Sequence, residues 1–241
     1  MTTLVVGASG ATGRLLVEQL LANGEQVKII VRSLAGLPDT FKQHQNLSIT
    51  ESNALTMTDA ELLEQVQGCD AVASCLGHNL TFKGIYGTPR RLVTDTVKRL
   101  CEAIKQESAL KSTAIKFVLM NTTGNQNKQD GEKISVMQKI IVALIRFIIP
   151  PHADNEQAAA YLQSTFTTQQ AQIEWTAVRP DTLTNESVVS NYQVNAFPTR
   201  SAIFNAGITS RINVAHFMAK LITNQNTWNA WKNKMPVIYN Q

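Results

Sequence analysis

The chain has 241 residues, of which 44% are hydrophobic and 17% charged, with a net charge of +4. That much apolar material can bury the core of one large α/β domain, and it excludes a disordered chain. No polybasic block or basic–aromatic ladder occurs, so nucleic acid is not implied as a partner. The start lacks a basic segment followed by an apolar signal core. The longest apolar run, Ile140 to Ile149, is interrupted by Arg146 and ended by Pro150-Pro151, too short to span a bilayer. Cys69, Cys75 and Cys101 show no metal-ligand spacing and cannot all pair, which suits free thiols in a reducing compartment. A cytoplasmic protein with no bound metal and no membrane partner is the expectation.

Residues 4–6 form a short apolar run that reads as a buried strand. Gly7-Ala8-Ser9-Gly10-Ala11-Thr12-Gly13-Arg14 follows, with three glycines at three-residue spacing. Leu15, Leu16, Val17 and Leu20 then recur at helical spacing. Strand, glycine turn and helix in this order let a pyrophosphate rest on backbone N–H groups at the positive end of a helix. Gly7 allows the tight turn, Gly10 clears the approach of the phosphates, and Gly13 lets the helix pack close to the strand. Residues 7–14 are therefore expected to bind a dinucleotide.

Asn23-Gly24 stops this helix, and residues 26–31 read as a second buried strand ending in Arg32-Ser33. In NAD binders a carboxylate about 20 residues beyond the glycines accepts the ribose 2′-hydroxyl. Here none occurs until Asp39. Arg32, beside Ser33 and with help from Arg14, could instead bond a 2′-phosphate, which favours NADP(H) over NAD(H). A third strand at 47–50 leads to Asn53 and Ala54, with Asn53 placed to reach the adenine. Thr58-Asp59-Ala60-Glu61 is a capping signal for a helix that turns Leu62, Leu63 and Val66 inward. A fourth strand, 70–75, is broken by Leu76-Gly77, where the backbone can lie close to the adenosine ribose.

The loop 78–89 brings His78 and Tyr86 to the expected substrate pocket. A long helix from 90 to about 106 carries Leu92, Val93, Val97, Leu100, Cys101 and Ile104 on one face. A fifth strand, 115–120, ends at Asn121-Thr122-Thr123-Gly124, with Asn121 assigned to the cofactor. Helices are expected at about 133–149 and 154–171. In the first, Ile134, Met137, Ile141, Leu144, Ile145 and Ile148 are expected to face the core, leaving Ile140 and Phe147 over. His152 could act as a general acid near neutral pH, with Asp154 as the cap of its helix. A sixth strand, 173–178, ends in Arg179-Pro180; Pro180 falls to the cofactor and Asp181 to the substrate. Short strands at 187–193 and 202–205, a helix at 212–224 and an edge strand at 236–239 complete the chain.

Alternating strands and helices joined by right-handed crossovers give a doubly wound parallel sheet of order 3-2-1-4-5-6. The expected architecture is a single-domain Rossmann fold, α/β, with a seventh strand possible and residues from about 181 shaping the substrate side. Every loop singled out follows a strand, so all fall on one edge of the sheet.

Five stretches occur in a telling order. They are Gly7-x-x-Gly10-x-x-Gly13, Val31-Arg32-Ser33, Asp70-Ala71-Val72, Trp175-Thr176-Ala177-Val178-Arg179-Pro180 and Ser210-Arg211-Ile212-Asn213-Val214-Ala215. Together they resemble the atypical short-chain dehydrogenase/reductase superfamily, in the NAD(P)H-binding branch that includes NmrA-like proteins and biliverdin reductase B-type flavin reductases. The superfamily's usual catalytic pair is a Tyr with a Lys four residues later. No tyrosine of this chain has that partner: Tyr86 is followed by Arg90 across Pro89, Tyr161 by Thr165 and Tyr192 by Ala196, while Tyr239 lies at the end. Thr122 and Thr123 stand where the superfamily keeps a Ser that orients the substrate carbonyl. The resemblance implies a reductase of a small carbonyl, flavin or quinone-type acceptor. Its alternatives are an NADP(H)-sensing regulator without catalysis and an epimerase or isomerase using the cofactor transiently. A small-molecule substrate and a monomer or homodimer are expected.

Overall fold

The computed structural model describes residues 1–78, 86–111, 113–148, 150–166 and 172–241. Strands β1 (Thr2–Val6), β2 (Gln26–Val31), β3 (Leu47–Glu51), β4 (Ala71–Ser74), β5 (Ile115–Met120) and β6 (Ile173–Pro180) form a parallel sheet in the order 3-2-1-4-5-6. Their β-branched and aromatic content suits strands buried on both faces. Side chains alternate between two cores. Leu4, Val6, Val72, Phe117, Leu119 and Trp175 point into one; Val5, Ile29, Ala73, Val118 and Val178 point into the other.

The first core is covered by α3 (Asp59–Val66), α4 (Leu92–Lys111) and α6 (Pro150–Thr165) through Leu62, Val97, Leu100, Ile104, Ala159 and Leu162. The second is covered by α1 (Ala11–Ala22) and by α7 (Arg211–Thr223), which packs beside it, through Leu16, Leu20, Val214, Phe217 and Leu221. Among the described residues the other α-helices are α2 (Asp39–Lys42), α5 (Val136–Ile148) and α8 (Gln225–Trp231). Thr58 caps α3 in a reciprocal pair with Glu61, as the sequence pattern requires.

Several boundaries differ from expectation. α6 begins at Pro150 rather than 154, because proline fits a first helical turn whose N–H groups need no partner. Asp154 accordingly does not cap its own helix. Its carboxylate accepts from the Val93 and Thr94 amides at 2.8 and 2.9 Å, and so holds the start of α4. The strand expected at the sheet edge, β10 (Val237–Asn240), runs parallel to β6 and is itself covered by the antiparallel β8 (Tyr192–Asn195). Residues 202–205 lie in turns and bends, not a strand. The short parallel pair β7 (Thr182–Thr184) and β9 (Ile208–Ser210) lies on either side of that segment in the chain. In α5, Met137, Ile140 and Leu144 are exposed while Gln138 and Val142 are buried, which reverses the expected orientation for Met137 and Leu144. The side chains of Ile145, Phe147 and Ile148 lie outside those described, as do residues 79–85 and 167–171. No described helix is long and apolar enough to cross a membrane.

Candidate functional site

β1 delivers the chain to Gly7, whose φ of +79° belongs to the left-handed region. A Cβ there would lie 2.6 Å from the carbonyl carbon of Cys75, so β1 and the exit of β4 can approach only at glycine. Gly10 N–H donates to Gly7 O at 3.0 Å and closes the turn. A Cβ on Gly13 would lie 2.1 Å from that same oxygen. Gly10 is the N-cap of α1 and no side chain caps this helix. Its first N–H groups are thus left to whatever occupies the turn, which is the donor set an anionic diphosphate needs.

The turn forms one end of a cavity of about 620 Å³, of the size that takes a small molecule. Gly7, Ser9, Gly10, Ala11 and Thr12 line it, with Arg32 from the end of β2 and Leu76, Gly77 and His78 from beyond β4. At the other side stand Met120 and Asn121 from β5, Asn155 from α6 and Arg211 from α7. A smaller adjoining cavity is lined by Asn53, Ala54, Arg32, Leu76 and Gly77, together with Ile30, Leu92 and Thr96. The turn, the second-strand arginine and the residues after β3 and β4 therefore converge, in the disposition a dinucleotide requires. Ala8 and Gly13 are buried behind the turn, and Arg14 is exposed on α1. Arg32 is exposed; the Ser33 hydroxyl accepts from the Ala35 amide in a short turn. Chain topology also brings in a carboxylate that the second strand lacks: Glu51, at the end of β3, accepts from the Leu34 amide at 3.3 Å.

His78 is held by Asp154, with Nε2 2.7 Å from the carboxylate. The acid is 1% exposed and anchored by the two α4 amides, so the ring has a fixed support at the cavity wall. Asn121 donates from Nδ2 to the Asn155 carbonyl at 2.9 Å and fixes the wall between β5 and α6. Burial raises the Cys75 thiol at this wall to about 12, so it stays protonated at neutral pH.

Other expected residues stand elsewhere. Thr122 accepts from the Gly124 amide, and Thr123 is buried with its N–H on Pro180 O; both belong to the strand-end turn rather than to the lining. His152 packs its Nε2 on Gly124, with Nδ1 3.7 Å from Glu156, itself bonded to Arg146. Burial holds the His152 pKa below its ordinary value, against the opposing charge of Glu156. Asp181 accepts from the Thr182 and Gly207 amides, Pro180 is buried in the sheet, and Tyr86 is 41% exposed. The sequence reading missed Asn155 and Arg211. Arg211 lay inside a recognised stretch, but its direction depends on where α7 packs. Among the described residues no group of His, Cys, Asp and Glu could hold a metal.

Fold and cavity together define a dinucleotide-binding Rossmann protein. The chain belongs to the NAD(P)H-binding family, whose model matches residues 7–225. Solved structures share the fold across nearly the whole chain. A wide-type short-chain dehydrogenase/reductase from Veillonella parvula, in complex with NADP, is 14% identical with a TM-score of 0.69, covering 99% of this chain and 94% of that one. A candidate NADH-flavin reductase from Streptococcus pneumoniae is 18% identical with a TM-score of 0.66, covering 100% of both chains. ChuY, an anaerobillin reductase from Escherichia coli O157:H7, is 14% identical with a TM-score of 0.69, covering 100% of this chain and 97% of that one. No curated protein sequence matches the chain.

Proposed function

We propose that the protein is an NADP(H)-dependent reductase of a small carbonyl, flavin or quinone-type acceptor. The observation that carries this reading is the single cavity that runs from the uncapped glycine turn to a polar wall of His78, Asn121, Asn155 and Arg211. Glycine turn and Arg32 would take the diphosphate and the 2′-phosphate, while Asn53 and Ala54 would border the adenine. Bound nicotinamide supplies the hydride. The chain's own part is to hold the acceptor against the wall, with the His78 ring fixed by Asp154. Neighbours described as a flavin reductase and an anaerobillin reductase support an aromatic acceptor.

A second reading, an NADP(H)-sensing regulator without turnover, draws on one feature. Among the described residues no tyrosine lines the cavity: Tyr161 bonds Glu102, Tyr192 bonds His216, Tyr239 is buried beside Gly207, and Tyr86 is exposed. Steady NADPH oxidation with a panel of flavins, quinones and carbonyl compounds supports the reductase. Tight NADP binding with no turnover across that panel overturns it in favour of the sensor.

A further inference from the structure

Among the described residues that line it, the large cavity has two arginines and no acidic residue. Arg32 enters at the end of β2, beside the smaller adjoining cavity. Arg211 enters from the start of α7, which packs over β5 and β6 at the opposite side. Its neighbours in the Ser210–Ala215 stretch all serve the fold. Ser210 caps α7 by accepting from the Asn213 amide, and Ile212, Val214 and Ala215 are buried. Asn213 is fully buried and donates to Ser190 and Asn240.

Of this stretch, Arg211 alone is among the described residues that line the cavity. Its one hydrogen bond among the described residues runs from Nη1 to the neutral Asn185 Oδ1 at 2.8 Å. No described carboxylate forms an ion pair with it. Two acids of the same region are otherwise occupied: Asp181 by the Thr182 and Gly207 amides, Glu186 by Thr184 and Asn240. A half-buried guanidinium with no counter-charge keeps a desolvation cost that an anionic ligand would relieve, through a fork suited to carboxylate or phosphate.

We infer that Arg211 is the residue that binds the acceptor's anionic group, so that the preferred substrate is a carboxylate- or phosphate-bearing acceptor. This rests on the reductase reading for its use but not for its test. The cofactor's own phosphates are the other possible source of the same chemistry.

Binding of FMN and riboflavin, which share a ring and differ by a phosphate, is measured by flavin fluorescence quenching on the NADP⁺-loaded protein. Wild type, Arg211→Gln and Arg211→Lys are compared. NADPH affinity and NADPH oxidation are measured on each. Wild type is expected to bind FMN about tenfold more tightly than riboflavin, the scale of one charge-assisted contact. Arg211→Gln removes that preference, costing FMN far more affinity than riboflavin or NADPH; Arg211→Lys keeps part of it. Wild type that fails to favour FMN, or binds neither flavin, overturns the inference. So does an Arg211→Gln protein that keeps the FMN preference while losing NADPH affinity, since the guanidinium then serves the cofactor. An Arg211-dependent FMN preference without NADPH oxidation leaves the inference standing and overturns the reductase reading. Oxidation with both flavins alike does the reverse.

Discussion

Replacing Gly13 by alanine tests the tightest contact of the turn. On an exposed helix this change would stabilise by about 1 kcal/mol, because alanine is the better helix former. Here the new Cβ would stand 2.1 Å from Gly7 O and 2.8 Å from Gly7 C, both backbone atoms. Ordinary van der Waals contact starts about 3.4 Å away, so the carbonyl must retreat by about 1.3 Å. That oxygen also accepts the 3.0 Å bond from Gly10 that closes the turn. Overpacking of this kind costs about 1–3 kcal/mol or more and outweighs the helical gain. For a backbone clash at the upper end of that range the expected net loss is about 1–2 kcal/mol, or a fall in Tm of about 2–8 °C for a chain of this size. NADPH affinity should fall as well, because the displaced turn no longer aims its N–H groups. Urea unfolding and fluorescence titration with NADPH check both. Gly10→Ala is the control: its Cβ meets only Gly7 O, at 3.2 Å, so it should lose NADPH affinity with little loss of stability. A Gly13→Ala protein as stable as wild type with unchanged NADPH affinity would refute the packing argument.

Three further outcomes are expected. Arg32→Asp should weaken NADPH by tenfold or more, on the order of one lost charge-assisted contact, and NADH far less; equal losses in paired titrations would sink the 2′-phosphate role. Glu132→Gln should destabilise by about 3 kcal/mol in urea unfolding, since it strands Arg179, which is fully buried and bonded at 2.7 Å to Glu132. A change under about 1 kcal/mol would contradict a buried ion pair. Stability should also fall as the pH drops below about 6.5. Burial lowers the pKa of both His152 and His216, so the unfolded chain binds more protons than the native one in that window. His152→Asn should flatten the slope between pH 7.5 and 5.5, and a steeper slope would reverse the assigned sign.

The sequence by itself determined the sheet order, the glycine turn and the capping of α3, because each rests on local periodicity or on residues a few positions apart. It also showed Arg32 at the end of β2, since that position follows directly from the strand. It also marked Trp175-Thr176-Ala177-Val178-Arg179-Pro180 as one of the stretches that carry the family resemblance. In the fold that stretch is structural: Trp175 donates to Phe166 O, Thr176 to Trp231 O, and Arg179 to Met235 O, Asn125 O and Glu132.

Tertiary structure decided what sequence spacing could not reach. Asp154 looked like the cap of its own helix, yet it holds α4 and His78 from 60 and 76 positions away. Met137 and Leu144 looked like core, but α5 turns Gln138 and Val142 inward instead, and periodicity cannot say which face meets a neighbour. Arg211 stood in the open as one charge in a helical stretch. Only the packing of α7 beside α1 carries it to the cavity that the glycine turn begins, because a side chain's direction is set by the partners of its helix rather than by the residues next to it in the chain.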